Sequence, residues 1–159
     1  MRISVQTEPF DLGAELAGFG RGAGAVVTFT GLVRDDTGTM VALELEHYPG
    51  MTEKSLRGIA AQAQARWTLA DLTIIHRYGR LSVGAPIMMI ATAARHRKDA
   101  FDAAEFLMDY LKSRAPFWKR EIGPDGPGAW VEARGSDEAA LDRWAPPGGR
   151  AGAGGDDPA

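Results

Sequence analysis

The 159-residue sequence contains no cysteine and only three histidines. Without cysteine the chain forms neither a disulfide nor a thiolate metal site, and it has no thiol nucleophile. The three histidines, His47, His76 and His96, are too widely spaced in the sequence to predict a zinc site. We therefore predict no resident metal and no cofactor.

The sequence also lacks an excess of positive charge and any long apolar run. Its formal net charge is −3, which argues against general binding to nucleic acid or to a membrane surface. No apolar stretch approaches the roughly 20 residues that span a bilayer. The first ten residues lack the basic start and apolar run of a signal peptide, so we expect a cytoplasmic protein.

Two common catalytic motifs are missing as well. The glycine-rich segment Gly20–Gly24 resembles a phosphate loop, but no Gly-Lys-Ser/Thr ending and no predicted helix follow it. No serine lies in a nucleophile elbow with histidine and aspartate in the matching order. These absences leave nucleotide hydrolysis and serine hydrolase chemistry without support.

The strand predictions rest on β-branched residues and on alternation of apolar with polar residues. In residues 41–47, for example, apolar positions alternate with Glu44 and Glu46. This strand and the one before it suggest a hairpin. The predicted strands are Met1–Val5, Gly24–Val33, Val41–His47, Leu72–Tyr78, Pro86–Ala93, Phe117–Ile122 and Trp130–Glu132.

Helical spacing of apolar residues predicts three helices. A short helix covers Phe10–Phe19. A longer one begins with Thr52 as its N-cap and runs to about residue 67. The third covers about Arg97–Arg114, with Phe101 in its apolar stripe. Pro116 ends it, because the residue before a proline is pushed out of the helical conformation.

These elements predict an α+β fold with two main helices packed on mostly antiparallel strands. The length fits one domain, which we place at residues 1–144. From Ala145 onward the chain consists almost entirely of Pro, Gly, Ala and Asp and has little apolar surface to bury. We therefore predict a disordered tail over residues 145–159.

Cations and aromatic residues alternate around the end of the third helix. Lys112 borders the buried stripe of the helix. If the chain reverses at Ala115–Pro116, Lys112 and Lys119 meet in a pocket walled by Phe117 and Trp118. Lysines in such a pocket can transfer a proton, or hold a phosphate or a developing oxyanion.

The sequence does not decide whether Lys112 and Lys119 are protonated. Neighbouring ammonium groups disfavour each other's protonation, whereas the negative pole of a helix C-terminus favours a charged lysine. Cations in a last helical turn are also commonly surface residues that complement the dipole. The interleaved Phe117 and Trp118 favour a site, since a solvated charge run would not contain them.

Two further cationic positions are weaker candidates. Arg95–Arg97 stands at a helix start, where free backbone amides favour anions. Arg34 stands where a predicted strand runs into a loop. Each is also compatible with an ordinary exposed turn. We assign structural roles to His47 and His76, which lie in or beside strands.

Five segments of the chain together carry a family resemblance. They are Val26–Arg34 (VVTFTGLVR), Leu45–Lys54 (LEHYPGMTEK), Ile75–Arg77 (IHR), Phe106–Glu121 (FLMDYLKSRAPFWKRE) and Trp130–Arg134 (WVEAR). The block from Phe106 to Glu121 is long and specific. These segments closely resemble the large, catalytic subunit of the molybdopterin synthase family, and the likeness extends from near the N-terminus to about Trp144.

The resemblance implies an α/β hammerhead-type fold with an added antiparallel subdomain. It also implies a sulfurtransferase of molybdenum cofactor biosynthesis that converts cyclic pyranopterin monophosphate to the molybdopterin dithiolene. The sulfur arrives as a thiocarboxylate on the C-terminal Gly-Gly of a small ubiquitin-like carrier subunit. Two large subunits form a homodimer that binds two carriers, a heterotetramer. The missing cysteine agrees with this, since the chain cannot hold sulfur as a persulfide.

The resemblance also assigns site residues. In the dimer that it implies, some of these residues can reach the pocket of the other copy. The family's two active-site lysines fall on Lys112 and Lys119, the implied catalytic residues. Leu32 departs from the family, which often has lysine there, so only a backbone contact is carried over. The implied substrate-binding positions are Leu32, Val33, Arg34, His96, Arg97, Lys112, Lys119, Arg120, Glu121 and Arg134.

Two rival functions remain open from the sequence. A non-catalytic module would use the same cations only to bind a ubiquitin-like tail or a phosphorylated ligand. A weak RNA binder would use residues 95–98 and 112–120, although the negative net charge disfavours it.

Overall fold

Two sheets and two long helices make up most of the computed structural model, which describes residues 1–132 and 138–145. The elements in chain order are β1 (Arg2–Gln6), α1 (Leu12–Leu16), β2 (Ala25–Leu32), β3 (Ala42–His47), α2 (Met51–Arg66), β4 (Leu69–Arg77), β5 (Gly79–Ser82), β6 (Pro86–Ala94), α3 (Arg97–Arg114), β7 (Phe117–Gly123), β8 (Gly126–Pro127), β9 (Val131–Glu132) and α4 (Glu138–Asp142).

The first sheet has four strands in the order β1-β4-β6-β2. β1 runs parallel to β4, and the other neighbours are antiparallel. Residues of α2 and α3 form the main core with β4 and β6 on one face of this sheet, around the fully buried Phe106. Phe10, Leu16 and Phe19 cover Met89 on the central strand β6. Because both faces are covered, the central strand β6 is a nearly continuous apolar run.

The second sheet has five strands, most of them short, and carries much of the candidate site. Its order is β5-β3-β7-β8, with β9 also paired to β7. A small core of Val33, Leu45 and Leu81 lies beneath it. The two sheets and two long helices confirm the α+β prediction with its added antiparallel subdomain.

The predicted hairpin of β2 with β3 is wrong. β2 pairs with β6 in the first sheet, whereas β3 pairs with β5 and β7 in the second. Alternation of apolar residues shows that a strand has a buried face, but it carries no information about its partner. Residues 33–41 carry the chain from one sheet to the other instead of closing a tight turn.

The start of α2 also differs from the prediction. Its N-cap is Gly50, whose φ of 81° favours glycine, and the helix begins at Met51. The Glu53 carboxylate accepts a hydrogen bond from the backbone N–H of Gly50 at 2.7 Å. Thr52 is fully buried instead, and its hydroxyl donates to the carbonyl of Tyr48 at 2.9 Å. Thr52 therefore ties the first turn of the helix to the preceding loop.

The long helix α3 begins and ends where the sequence predicts, at Arg97 and Arg114. The expectation that Phe101 lies in its apolar stripe is wrong, since Phe101 is 60% exposed. The buried stripe instead contains Ala100 and Ala103, whose small side chains let the helix pack closely on the sheet.

Within residues 1–132 and 138–145, none of the helices has the length and apolar character needed to span a bilayer. The predicted tail over residues 145–159 lies outside the described residues except for Ala145, and Arg134 also lies outside them. The domain boundary at residue 144 stays a prediction.

His76 on β4 is a buried polar group that links the two sheets. Its ring stacks on Phe117 of β7, with centroids 3.7 Å apart and planes 18° apart. Its Nδ1 lies 2.9 Å from the carbonyl oxygen of Arg77, to which it donates. Burial lowers the pKa of His76 to about 4, because the site disfavours the charged imidazolium, and nearby His47 adds to this effect. The hydrogen bond to Arg77 opposes it.

We expect this buried histidine to make folding stability depend on pH. The pKa in the folded state, about 4, lies below the ordinary 6.5. The stabilising effect is therefore complete above pH 6.5 and is lost as the pH falls towards 4. Between about pH 7.5 and 5, this group alone should reduce the free energy of unfolding by about 2 kcal/mol.

Urea unfolding of the wild type and of His76→Phe, at both pH values, measures the effect. Phenylalanine keeps a ring stacked on Phe117 but does not titrate. The variant should therefore lose about 2 kcal/mol less stability on acidification than the wild type does. Equal losses in the two proteins would show that His76 is not the titrating group.

Candidate functional site

A recess of about 810 Å³ lies where the two sheets meet the C-terminal end of α3. Its walls come from the end of β2, the following loop, β3, β7 and the segment before β9. A cavity of this volume accommodates a small-molecule ligand. The lining residues are Phe29, Thr30, Gly31, Leu32, Arg34, Asp36, Met40, Leu43, Ile87, Lys112, Lys119, Arg120, Glu121, Gly128, Ala129 and Val131.

The chain reversal after α3 brings the two lysines of the sequence prediction to this recess. Ala115 leaves the helix in an extended conformation, with φ −77° and ψ 129°. Phe117 is buried at the start of β7 and is stacked on His76. This anchor fixes the register of β7, so Lys112 on the helix and Lys119 on the strand both line the recess and are both exposed.

Arg120 is the most restrained cation of the recess. Its Nε donates to the Glu44 carboxylate at 2.6 Å, and the two residues face each other across β7 and β3. Its guanidinium carbon lies 4.4 Å from the centre of the Trp130 ring, close enough for a cation–π interaction. Glu44 and Trp130 were not among the predicted site residues.

Arg34 also lines the recess and is much more exposed than Arg120. Its Nε lies 2.7 Å from Asp36, but both side chains are mostly exposed. The loop that follows is ordered by Asp35, whose carboxylate accepts hydrogen bonds from the backbone of Thr37, Gly38 and Met40. The loop therefore presents Arg34 and Asp36 at a fixed edge of the recess.

Part of the recess lining is apolar. Phe29 and Leu32 on β2 are 41% and 55% exposed, and Met40, Leu43 and Ile87 also line the recess. An anionic ligand with a flat or apolar part would therefore find both cations and apolar surface in the lining. Phe29 stands inside a segment that carried the family resemblance, but no polar signal in the sequence marked it as a lining residue.

Six of the ten predicted positions line this recess: Leu32, Arg34, Lys112, Lys119, Arg120 and Glu121. Val33 does not, because its side chain is 2% exposed and packs against Leu45 and Leu81. Its backbone N–H donates to Ala85, and its carbonyl accepts from Gly84.

His96 and Arg97 lie elsewhere in the same chain. They stand at the start of α3, about 22 Å along the helix from Lys112 at 1.5 Å per residue. Both are exposed and neither lines the recess. Arg134 lies outside the described residues. Among residues 1–132 and 138–145, no group of His, Asp or Glu side chains is arranged to hold a metal ion.

Comparisons with known proteins agree with this architecture. The family model described as "MoaE protein" matches residues 5–114. The molybdopterin synthase catalytic subunit of Cereibacter sphaeroides is 60% identical over 147 residues, which cover 91% of this chain and all of that protein.

Two solved structures are similar over most of the chain. The molybdopterin biosynthesis MoaE protein from Burkholderia ambifaria has a TM-score of 0.79 and 53% identity, and the match covers 90% of this chain and 97% of that one. Molybdopterin synthase from Staphylococcus aureus has a TM-score of 0.73 and 35% identity, covering 80% and 94%. The chain therefore belongs to the MoaE family, that of the catalytic subunit of molybdopterin synthase.

Proposed function

We propose that this chain transfers sulfur from the C-terminal thiocarboxylate of a small carrier subunit to cyclic pyranopterin monophosphate, which forms the molybdopterin dithiolene. The observation that carries the proposal is the recess itself, whose lining contains Lys112, Lys119 and Arg120 together with several apolar side chains. We further propose a cytoplasmic location, as expected of a bacterial biosynthetic enzyme.

The proposed reaction requires another molecule to supply the sulfur. The chain has no cysteine, so it cannot form a persulfide, and the sulfur must arrive on another molecule. The thiocarboxylate sulfur forms a C–S bond to a carbon of the pterin side chain as a C–O bond of that carbon breaks, and the departing oxygen takes up a proton. The carrier is then joined to the substrate through an acyl–sulfur bond. Water cleaves that bond, which leaves the sulfur on the pterin and a carboxylate on the carrier. A second charged carrier repeats the transfer.

Each cation has a proposed role in this sequence. Lys112 lies beside the thiocarboxylate and moves protons as sulfur attacks. Lys119 anchors the substrate and stabilises the negative charge that develops. Arg34 and Arg120 bind the substrate phosphate through paired N–H donors. Leu32 and Glu121 complete the wall.

His96, Arg97 and Arg134 are proposed to bind the phosphate as well, the first two from a second copy of the chain. β2 is the edge strand of its sheet, and its exposed Val26, Phe29 and Leu32 form an apolar edge suited to a partner. When two copies meet along β2 about a two-fold axis, the strands run antiparallel.

This arrangement places the two ends of β2 side by side. Ala25, at the start of β2, pairs with Ala94, so the turn that bears His96 and Arg97 lies beside that end. Leu32, at the other end, lines the recess. An antiparallel encounter therefore brings His96 and Arg97 of one copy towards the recess of the other.

Mass spectrometry of the pterin product tests the function. The protein is mixed with cyclic pyranopterin monophosphate and thiocarboxylated carrier, and the product should contain two added sulfur atoms. Carrier that ends in an ordinary carboxylate is the control and should give none. A pterin that gains no sulfur from the charged carrier would contradict the proposal.

The RNA-binding alternative is tested by comparing the protein's affinity for RNA with its affinity for the pterin substrate. Three of the cations of residues 112–120, Lys112, Lys119 and Arg120, line a recess that also contains apolar side chains. We therefore expect weaker binding to single-stranded RNA than to the pterin substrate at the same salt concentration. The reverse order of affinity would favour the RNA reading.

A further inference from the structure

Among the cations that line the recess, Arg120 is held by two side chains from different parts of the second sheet and its flanking segment. Glu44 on β3 accepts from its Nε, and Trp130, just before β9, covers the guanidinium. Arg120 and Glu44 are 27% and 26% exposed, compared with 81% for Arg34. A half-buried charged hydrogen bond is screened less by water than an exposed pair, so it restrains its members more strongly.

The geometry leaves the outer part of the guanidinium available. Glu44 occupies Nε, and the Trp130 ring lies against the guanidinium plane. Within residues 1–132 and 138–145, no other group accepts a hydrogen bond from the side chain of Arg120. Both terminal Nη nitrogens therefore remain able to donate, and their fork matches two oxygens of a phosphate.

We propose that Glu44 is a positioning residue, which together with Trp130 holds Arg120 ready to bind the phosphate of the pterin substrate. This inference rests on the proposed function. An unrestrained arginine must lose rotamer freedom when it binds an anion, and that loss weakens binding. Glu44 removes most of this cost before the substrate arrives.

The negative charge of Glu44 acts against the same anion, so charge and geometry predict opposite results. A glutamate that mattered only by its charge would weaken phosphate binding, and its removal would strengthen it. A glutamate that positions Arg120 does the reverse. The two effects separate in Glu44→Gln, whose amide oxygen still accepts from Nε but carries no charge, and in Glu44→Leu, which does neither.

Equilibrium binding of cyclic pyranopterin monophosphate, without carrier, gives the primary readout. Glu44→Leu should raise Kd about tenfold, because it removes the charged hydrogen bond that orients Arg120. Glu44→Gln should stay within about twofold of the wild type, because the acceptor is retained. In turnover with charged carrier, KM for the pterin should rise in Glu44→Leu while kcat changes little.

The matched control is Glu46→Leu. Glu46 is two residues further along β3, is exposed, opposite Trp118, and is not part of the recess lining. It has the same charge on the same strand, so its replacement should leave Kd unchanged. Thermal unfolding of both variants compares their effects on the fold.

A double substitution tests whether Glu44 acts through Arg120. In an Arg120→Lys background, Glu44→Leu should change Kd by less than about twofold, because the group that it positions is gone. An unchanged Kd in Glu44→Leu would overturn the inference. So would equal weakening in Glu44→Gln, an undiminished effect in the Arg120→Lys background, or a rise in KM for the carrier alone. Because binding is measured without turnover, these results are independent of whether sulfur transfer itself occurs.

Discussion

Replacing Lys112 by alanine should lower kcat for sulfur transfer by about 100-fold or more, the range expected for loss of a positioned proton-transfer group. Lys112 lies in the last turn of α3 and lines the recess, where the proposed mechanism places the carrier's terminal thiocarboxylate. In that mechanism, loss of its ammonium group removes both the proton transfer and the balancing positive charge at the attacking sulfur. Single-turnover assays with preformed thiocarboxylate measure the rate of the chemical step.

Lys54→Ala is the control for this prediction. Lys54 is an exposed lysine on α2, outside the recess lining, so its loss should leave kcat near the wild-type value. Near-normal conversion by Lys112→Ala would remove the proposed catalytic role.

Lys112→Arg separates an enzyme from a module that only binds. Arginine keeps the positive charge but cannot release its proton, and its planar group has a different shape. A binding module should tolerate this change with little loss of affinity. A catalytic lysine should not, so we expect Lys112→Arg to lose most of its turnover while carrier and substrate still bind.

Mixed dimers should regain activity that neither parent variant has. One copy carries Lys112→Ala and the other Arg97→Ala, and both homodimers are expected to be nearly inactive. If Arg97 serves the recess of its neighbour, one recess of the mixed dimer receives both substitutions and the other receives none. Dimers purified through a different affinity tag on each copy should then show about half of the wild-type activity.

The control for this experiment pairs Lys112→Ala with Lys119→Ala. Both lysines line the recess of their own chain, so each recess of that mixed dimer keeps one defect and no activity should return. Recovery with Lys119→Ala, or none with Arg97→Ala, would contradict the proposed exchange between copies.

Local features of the sequence predicted local features of the fold. The bounds of α3 followed from helical spacing and from Pro116, since both act within a few residues. Strand pairing did not follow, because β2 finds its partner about 60 residues later in the chain. The cap of α2 also differed, since the hydroxyl of Thr52 donates to the backbone carbonyl of Tyr48, four residues earlier, and Gly50 is the N-cap.

The candidate site was predictable to a similar degree. The hinge at Ala115–Pro116 suggested from the residues alone that Lys112 and Lys119 would meet, and both line one recess. Glu44 was not foreseen, because its partner Arg120 lies 76 positions away and only the register of β3 on β7 joins them. The sequence cannot give that register without the fold.

The length of α3 has a genetic consequence under the proposed assembly. Arg97 begins this helix and Lys112 stands near its end, so one helix serves two catalytic centres. A gene product with either residue replaced would silence one centre of each assembly that it joins with a normal product. A product with both replaced would silence both centres, and such an allele would be dominant negative over the normal one.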